Sequence, residues 1–324
     1  YLSQLMTQNI DNAHFFYFLC NPGSEGFLKE EIRLIYPELR FAYSTEGFLT
    51  FKEIRPLGKT LRPVFCRHFG SFIMRGSLEE VEAHAKIRAR DNGMPIYFYS
   101  KDGEIYKFPK VKFGEYVLEI IKVIANGKEQ YYLGEFQSSL LTSPGPGGFS
   151  SAVLPPEAPS RAYLKVLDGI DYVGAQLAEG EHALEIGSSP GGATYALLQK
   201  GLSVEGLDPA LMSEICLQNP KFYHHHTSIQ DFKVYDLKNH VQWLFVDMNL
   251  PPEGTLREIE KVVEKIKPSL KGAFITLKMT KLDLVSRVPM YLTFVKNMGL
   301  SVVVATQLPS HKQEFLIYAE NSTF

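Results

Sequence analysis

Four charged residues mark the chemistry this chain could perform. Lys165 lies in Pro159-Ser160-Arg161-Ala162-Tyr163-Leu164-Lys165, ahead of a short apolar run. Asp247 ends the apolar run Trp243 to Val246, Lys278 ends Phe274 to Leu277, and Glu314 opens Phe315 to Ile317. Singly, each is an ordinary solvated strand end. Brought to one rim, two ammonium groups and two carboxylates make a compact Lys-Asp-Lys-Glu cluster. Such a cluster can orient a reacting group, shift a proton and stabilise developing negative charge.

A second constellation is the turn Gly187-Ser188-Ser189-Pro190-Gly191-Gly192, which follows the apolar stretch His182 to Ile186. Glycines there allow positive φ and a close approach of backbone to a ligand. A helix amino terminus beyond them offers unpaired N–H groups. Asp208 ends the next apolar stretch, where an acid would meet ribose hydroxyls. The dinucleotide fingerprint GxGxxG is absent, which argues against nicotinamide or flavin. The turn and its acid fit S-adenosylmethionine better, with a tight turn that binds nothing as the competing reading. Asp231 follows a third strand region and could accept from an adenine amino group, or lie on a plain surface loop.

The elements that must position these groups read as strands alternating with helices. Strand stretches are His182 to Ile186, Leu202 to Leu207, Val241 to Val246, Gly272 to Leu277, Leu300 to Ala305 and Phe315 to Ala319. Helices are expected over Gly192 to Lys200, along a face bearing Leu256, Ile259, Val262, Val263 and Ile266, and over Leu282 to Asn297. This alternation predicts an α/β fold with a largely parallel, Rossmann-like sheet, whose strand carboxyl ends gather the polar residues. Residues 138–160, rich in proline and glycine, read as a linker. Ahead of it, 1–137 reads as a separate α+β domain. Its strands are expected over His14 to Cys20, Gly47 to Phe51, Pro63 to Met74, Ile96 to Tyr99, Glu115 to Ile124 and Gln130 to Phe136. Ser24 should cap one helix, and Ser77 with Glu80 has the spacing of a capping box opening a second.

Composition excludes several classes. The chain has 324 residues, 45% hydrophobic and 22% charged, with a net charge of −2. Dominant disorder is ruled out, and no apolar run reaches the roughly 18–20 residues of a membrane span. No secretory signal is read at the start. The three cysteines, Cys20, Cys66 and Cys216, are widely spaced and form no CxxC pair. A cytoplasmic location and no thiolate metal site follow as expectations. His224-His225-His226 invites a metal, but neighbouring strand residues face opposite ways and no metal is expected. The basic run Lys52, Arg55, Lys59, Arg62, Arg67 and Arg75 could meet nucleic acid, aided by Phe65, Phe69 and Phe72, although strand core is the plainer reading of those aromatics.

With their flanks, the four charged residues resemble the K-D-K-E tetrad of FtsJ-type ribose 2′-O-methyltransferases. The segments APSRAYLK (158–165), LEIGSSPGGATYALLQKG (184–201), WLFVDM (243–248), ITLKM (275–279) and HKQEFLIY (311–318) occur in the right order. The likeness is greater to bacterial large-subunit ribosomal RNA cytidine 2′-O-methyltransferases, which carry an amino-terminal THUMP region; CNPGSEGFLKEEI (20–32) resembles that family's opening. Departures are Ser188-Ser189 in the turn, Ala193 where an aromatic residue is common, and Glu185 in place of aspartate. The resemblance implies a methyltransferase domain over 161–324, S-adenosylmethionine as cofactor and ribosomal RNA as partner. Cofactor contacts would come from Gly187 to Gly192, Asp208, Asp231 and Asp247. It further implies Lys278 as the base, Asp247 as its orienter, Lys165 steering the hydroxyl and Glu314 positioning Lys165 or the ribose. An ordinary lysine, with pKa about 10.4, is protonated at neutral pH; a second ammonium nearby and desolvation both ease proton loss. A small-molecule methyltransferase and a non-catalytic RNA-binding protein are the alternatives.

Overall fold

The structure, a computed structural model, describes residues 14–107 and 111–321. Residues 1–13 of the expected amino-terminal domain lie outside them. The chain divides into two units, Tyr1–Gly147 and Gly148–Phe324. The division falls inside the expected linker, whose first residues go with the first unit.

The first unit runs β1 (Phe15–Leu19), α1 (Glu25–Ile35), β2 (Leu39–Thr45), β3 (Phe48–Glu53), β4 (His68–Gly76), α2 (Leu78–Asn92), β5 (Ile96–Ser100), β6 (Ile105–Lys107), β7 (Tyr116–Ala125) and β8 (Lys128–Gln137). One eight-stranded sheet has the order β2-β3-β1-β4-β8-β7-β5-β6. The capping box on α2 forms as the spacing predicts, and Gly93 ends the helix in the left-handed conformation. At α1 the Ser24 side chain makes no capping bond. The Glu25 carboxylate instead accepts the N–H groups of Gly23 and Gly47.

The strand expected over Pro63 to Met74 begins only at His68. Buried Glu31 on α1 accepts the N–H groups of Val64 and Phe65, at 2.7 and 3.0 Å, in place of a strand partner. The basic run also changes meaning. Arg67 is buried and donates to the carbonyls of Cys20, Lys101 and Gly147 at 2.7, 2.9 and 2.9 Å. Phe65 and Phe69 are core residues, and half-buried Phe72 packs edge-on against Phe15.

The second unit runs α3 (Ala162–Val173), β9 (His182–Ile186), α4 (Gly192–Gln199), β10 (Ser203–Leu207), α5 (Glu214–Leu217), β11 (Phe222–His225), β12 (Trp243–Val246), α6 (Pro252–Ile266), β13 (Gly272–Lys278), α7 (Val288–Asn297), β14 (Leu300–Thr306) and β15 (Glu314–Asn321). Its sheet has the order β11-β10-β9-β12-β13-β15-β14. The first five strands pair in parallel, and β15 runs antiparallel to both neighbours. This is the expected Rossmann-like α/β sheet, with its order reversing beside β9.

Apolar side chains from both sheet and helices fill the core. Phe245 and Phe274 stack with centroids 4.8 Å apart, and Tyr163, Val166 and Ile170 of α3 join their cluster. On α6 the expected face, Leu256, Ile259, Val262, Val263 and Ile266, is buried. The helix expected from Leu282 starts as α7 at Val288, after a short 3-10 stretch. Pro289 explains the delay: proline suits the first turn of a helix and breaks its interior. Among the described residues no helix is long and apolar enough to cross a membrane.

Candidate active site

Parallel strands end on one rim, and four elements deliver the four charged residues there. Lys165 stands on the first turn of α3, Asp247 follows β12, Lys278 ends β13 and Glu314 begins β15. Lys278 and Glu314 face each other in the β13–β15 register. The Lys165 ammonium lies 2.8 Å from Asp247 Oδ2 and 2.8 Å from Glu314 Oε1. Lys278 Nζ approaches Asp247 Oδ1 more loosely, at 3.6 Å. Asp247 thus stands between two lysines that are far apart in sequence.

The two lysines differ in kind. Burial disfavours charge on Lys165, but Asp247 and then Glu314 outweigh it and hold its pKa above the ordinary lysine value. Lys165 is a fixed cation. Lys278 makes one long ion-pair contact, and 28% of its side chain is exposed.

All four residues line a cleft of about 680 Å³, together with Gly187, Ser189 and Asp208. The Asp208 carboxylate accepts the N–H groups of Ser189 and Ala210, at 3.1 and 2.8 Å, and so ties its own loop to the glycine turn. Ser188 is buried, with its hydroxyl 3.5 Å from Met212 Sδ. Pro190, Gly191 and Gly192 are not among the lining residues. Protein also closes on protein at two of the turn's glycines. At Gly187, with φ +86°, a Cβ would strike the Asp247 carbonyl, and at Gly192 it would strike Ser160.

Asp231 stands apart from this group. Its carboxylate accepts the Ser228 hydroxyl at 2.7 Å, and the turn from Ser228 leaves it exposed outside the cleft lining. Ile229 and Gln230 of the same turn line the cleft instead. Sequence reasoning passed over them and Met248 to Leu250, although both groups follow strand carboxyl ends, the signal that could have found them. It also missed Arg161, Ser310 and Lys312 at the cleft wall.

Beneath the rim lies Glu185, fully enclosed. Burial pushes its carboxyl up to about 8 despite the hydrogen bond from the Thr194 hydroxyl. Ala193 and Glu185 border a side pocket of about 30 Å³ that also touches Lys165 and Asp247. A larger side chain at position 193 would fill it. Among the described residues no group of histidine, cysteine and carboxylate side chains is arranged to hold a metal.

No family model matches the chain. The chain is 32% identical over 136 residues to a ribosomal RNA large subunit methyltransferase M from Yersinia enterocolitica, covering 40% of this chain and 36% of that protein. A protein of the same name from Yersinia pestis is 30% identical over the same shares. The match thus spans about a third of the length of these curated relatives. Among solved structures, TrmN from Thermus thermophilus covers 95% of this chain and 99% of its own at 12% identity, with a TM-score of 0.37. The chain is similar, over two-fifths of its length, to methyltransferases named for large-subunit ribosomal RNA.

Proposed function

We propose that this chain is an S-adenosylmethionine-dependent RNA methyltransferase acting on a ribose 2′-hydroxyl of a cytidine in large-subunit ribosomal RNA. The observation that carries it is the Asp247-bridged pair of lysines on the same cleft as the glycine turn and Asp208. A cleft of about 680 Å³ suits a cofactor of this size. Asp208 would accept from the donor's ribose hydroxyls. Leu207, Ile229 and Met248 give the cleft apolar wall for a base. Asp247 would hold the donor's amino end. The donor supplies an activated methyl group.

The protein's own task is to align a weakly acidic hydroxyl and remove one proton. Lys165, locked between two carboxylates, steers the hydroxyl and stabilises negative charge on its oxygen. Glu314 holds Lys165 in that place. Lys278, more loosely engaged, is the group left to take the proton. The first unit, in this reading a THUMP-like domain, selects the RNA through exposed members of its basic run, Arg55, Lys59, Arg62 and Arg75. The test is transfer of labelled methyl to ribosomal RNA by the full chain and by Lys278→Ala. Transfer by the wild type and its loss in the variant, with donor binding intact, supports the reading. Wild-type transfer only to small molecules would refute it.

A further inference from the structure

Three rings form a ladder along one face of the edge strand β11 and the residue after it. Phe222 and His224 stack with centroids 6.3 Å apart and planes 17° apart. His224 and His226 continue the ladder at 5.2 Å and 26°. Alternate strand residues share a face, so His225 turns the other way, onto buried Glu205 at 2.6 Å. The two laddered imidazoles reach two consecutive carbonyls of the loop after β10. His224 Nε2 lies 3.0 Å from the Asp208 oxygen, and His226 Nε2 lies 2.8 Å from the Pro209 oxygen. A carbonyl only accepts, so both Nε2 atoms carry the proton and donate.

Asp208 and Pro209 both line the cleft. The loop is tied at its other corners as well. The Asp208 N–H donates to the His225 carbonyl at 3.3 Å, and the Ser189 hydroxyl donates to the Leu211 carbonyl at 2.8 Å. His224 holds the 208–209 peptide plane, which adjoins the Asp208 Cα, and His226 holds the 209–210 plane, whose Ala210 N–H the Asp208 carboxylate accepts. That carboxylate already accepts two N–H groups and keeps lone pairs for two neighbouring hydroxyls.

We infer that His224 and His226 are positioning residues that set the Asp208 loop for the ribose of the bound donor. The inference rests on the proposed donor. It assigns the middle of the His224-His225-His226 run to structure and its two outer members to ligand recognition through Asp208. Removing both N–H donors while keeping the rings isolates the effect, because phenylalanine preserves the stacking.

The test is calorimetric binding of S-adenosylhomocysteine to the full chain, with thermal unfolding to confirm the fold. His224→Phe/His226→Phe should weaken binding about tenfold, as expected for two lost hydrogen bonds. His224→Gln/His226→Gln, which restores amide donors, should recover most of it. On an Asp208→Asn background the phenylalanine pair should cost less than twofold, since the two act through one group. His226→Phe alone, at an exposed position, serves where the double variant fails to fold. Wild-type affinity in a folded phenylalanine variant, or an undiminished loss on the Asp208→Asn background, would overturn the inference. A wild type that binds no S-adenosylhomocysteine overturns the donor reading and this inference with it.

Discussion

Each unit builds a carboxylate cluster, and the two clusters have opposite characters. In the first, Glu119 on β7 is wholly buried and accepts the hydroxyls of Tyr17 and Tyr99 and a contact from His68 Nε2 at 2.7 Å. Every partner is a core side chain of the same sheet, and the cluster locks β1, β4, β5 and β7 together. In the second, Asp247 sits at a strand end with 23% of its side chain exposed, between two ammonium groups facing a cleft. The difference follows from topology. A largely antiparallel sheet distributes its polar side chains, whereas parallel strands gather theirs on one carboxyl rim. A closed network stabilises; an open one leaves charge available to a substrate.

The largest effect that sharpens this contrast is on transfer. Lys278→Ala should reduce methyl transfer to RNA by about 100-fold or more, the scale of a lost general base, while donor affinity changes less than twofold. Equal losses in both would place Lys278 in donor binding instead. The counterpart in the first unit is Glu119→Gln. It should lower unfolding stability by roughly 2–4 kcal/mol through a disrupted buried network, yet leave donor affinity at the second unit unchanged. Unaltered denaturant midpoints would contradict the locking role.

Glu185 gives a smaller, pH-dependent effect. Its folded value of about 8 lies above the ordinary carboxyl value of 4.5, so the folded state holds the proton more tightly. Stability therefore falls as pH rises from about 5 to 8, because the unfolded state binds fewer protons over that range. Glu185→Gln should flatten that decline, measured as urea midpoints across the range. An identical decline in both proteins would show that the group does not titrate as described.

Much of the second unit was legible in the sequence. β9 and β10 each carry a buried glutamate, Glu185 and Glu205. β12 is an unbroken apolar run and β13 is interrupted only by Thr276 before its last residue, so Asp247 and Lys278 mark where the core ends. That is why Asp247 and Lys278 stand out in the chain; Lys165, on α3, and Glu314, opening β15, were named with them through their flanking segments. The first unit was harder, because its deciding contacts are distant in sequence. Glu31 settles Val64 and Phe65 from 33 and 34 residues away. In the first unit the sequence reading also passed over both edge strands of the sheet. β2 buries only Leu39, and all of β6 is exposed, so neither shows the apolar alternation that marks a half-buried strand. Asp231, which the sequence leaves as either an adenine contact or a plain surface loop, is exposed outside the cleft lining and accepts the Ser228 hydroxyl. Asp231→Asn should accordingly change donor affinity less than twofold, the smallest effect expected; a large loss would return it to the site.

The central claim is that the Lys165–Asp247–Lys278–Glu314 cluster methylates ribose. It is tested most directly by incubating the full chain with labelled S-adenosylmethionine and ribosomal RNA from cells lacking the protein, then digesting the RNA to nucleosides. Label in a 2′-O-methylated nucleoside, lost with Lys278→Ala, is the expected result. Label on a base, or no label in RNA from a chain that binds the donor, would contradict it.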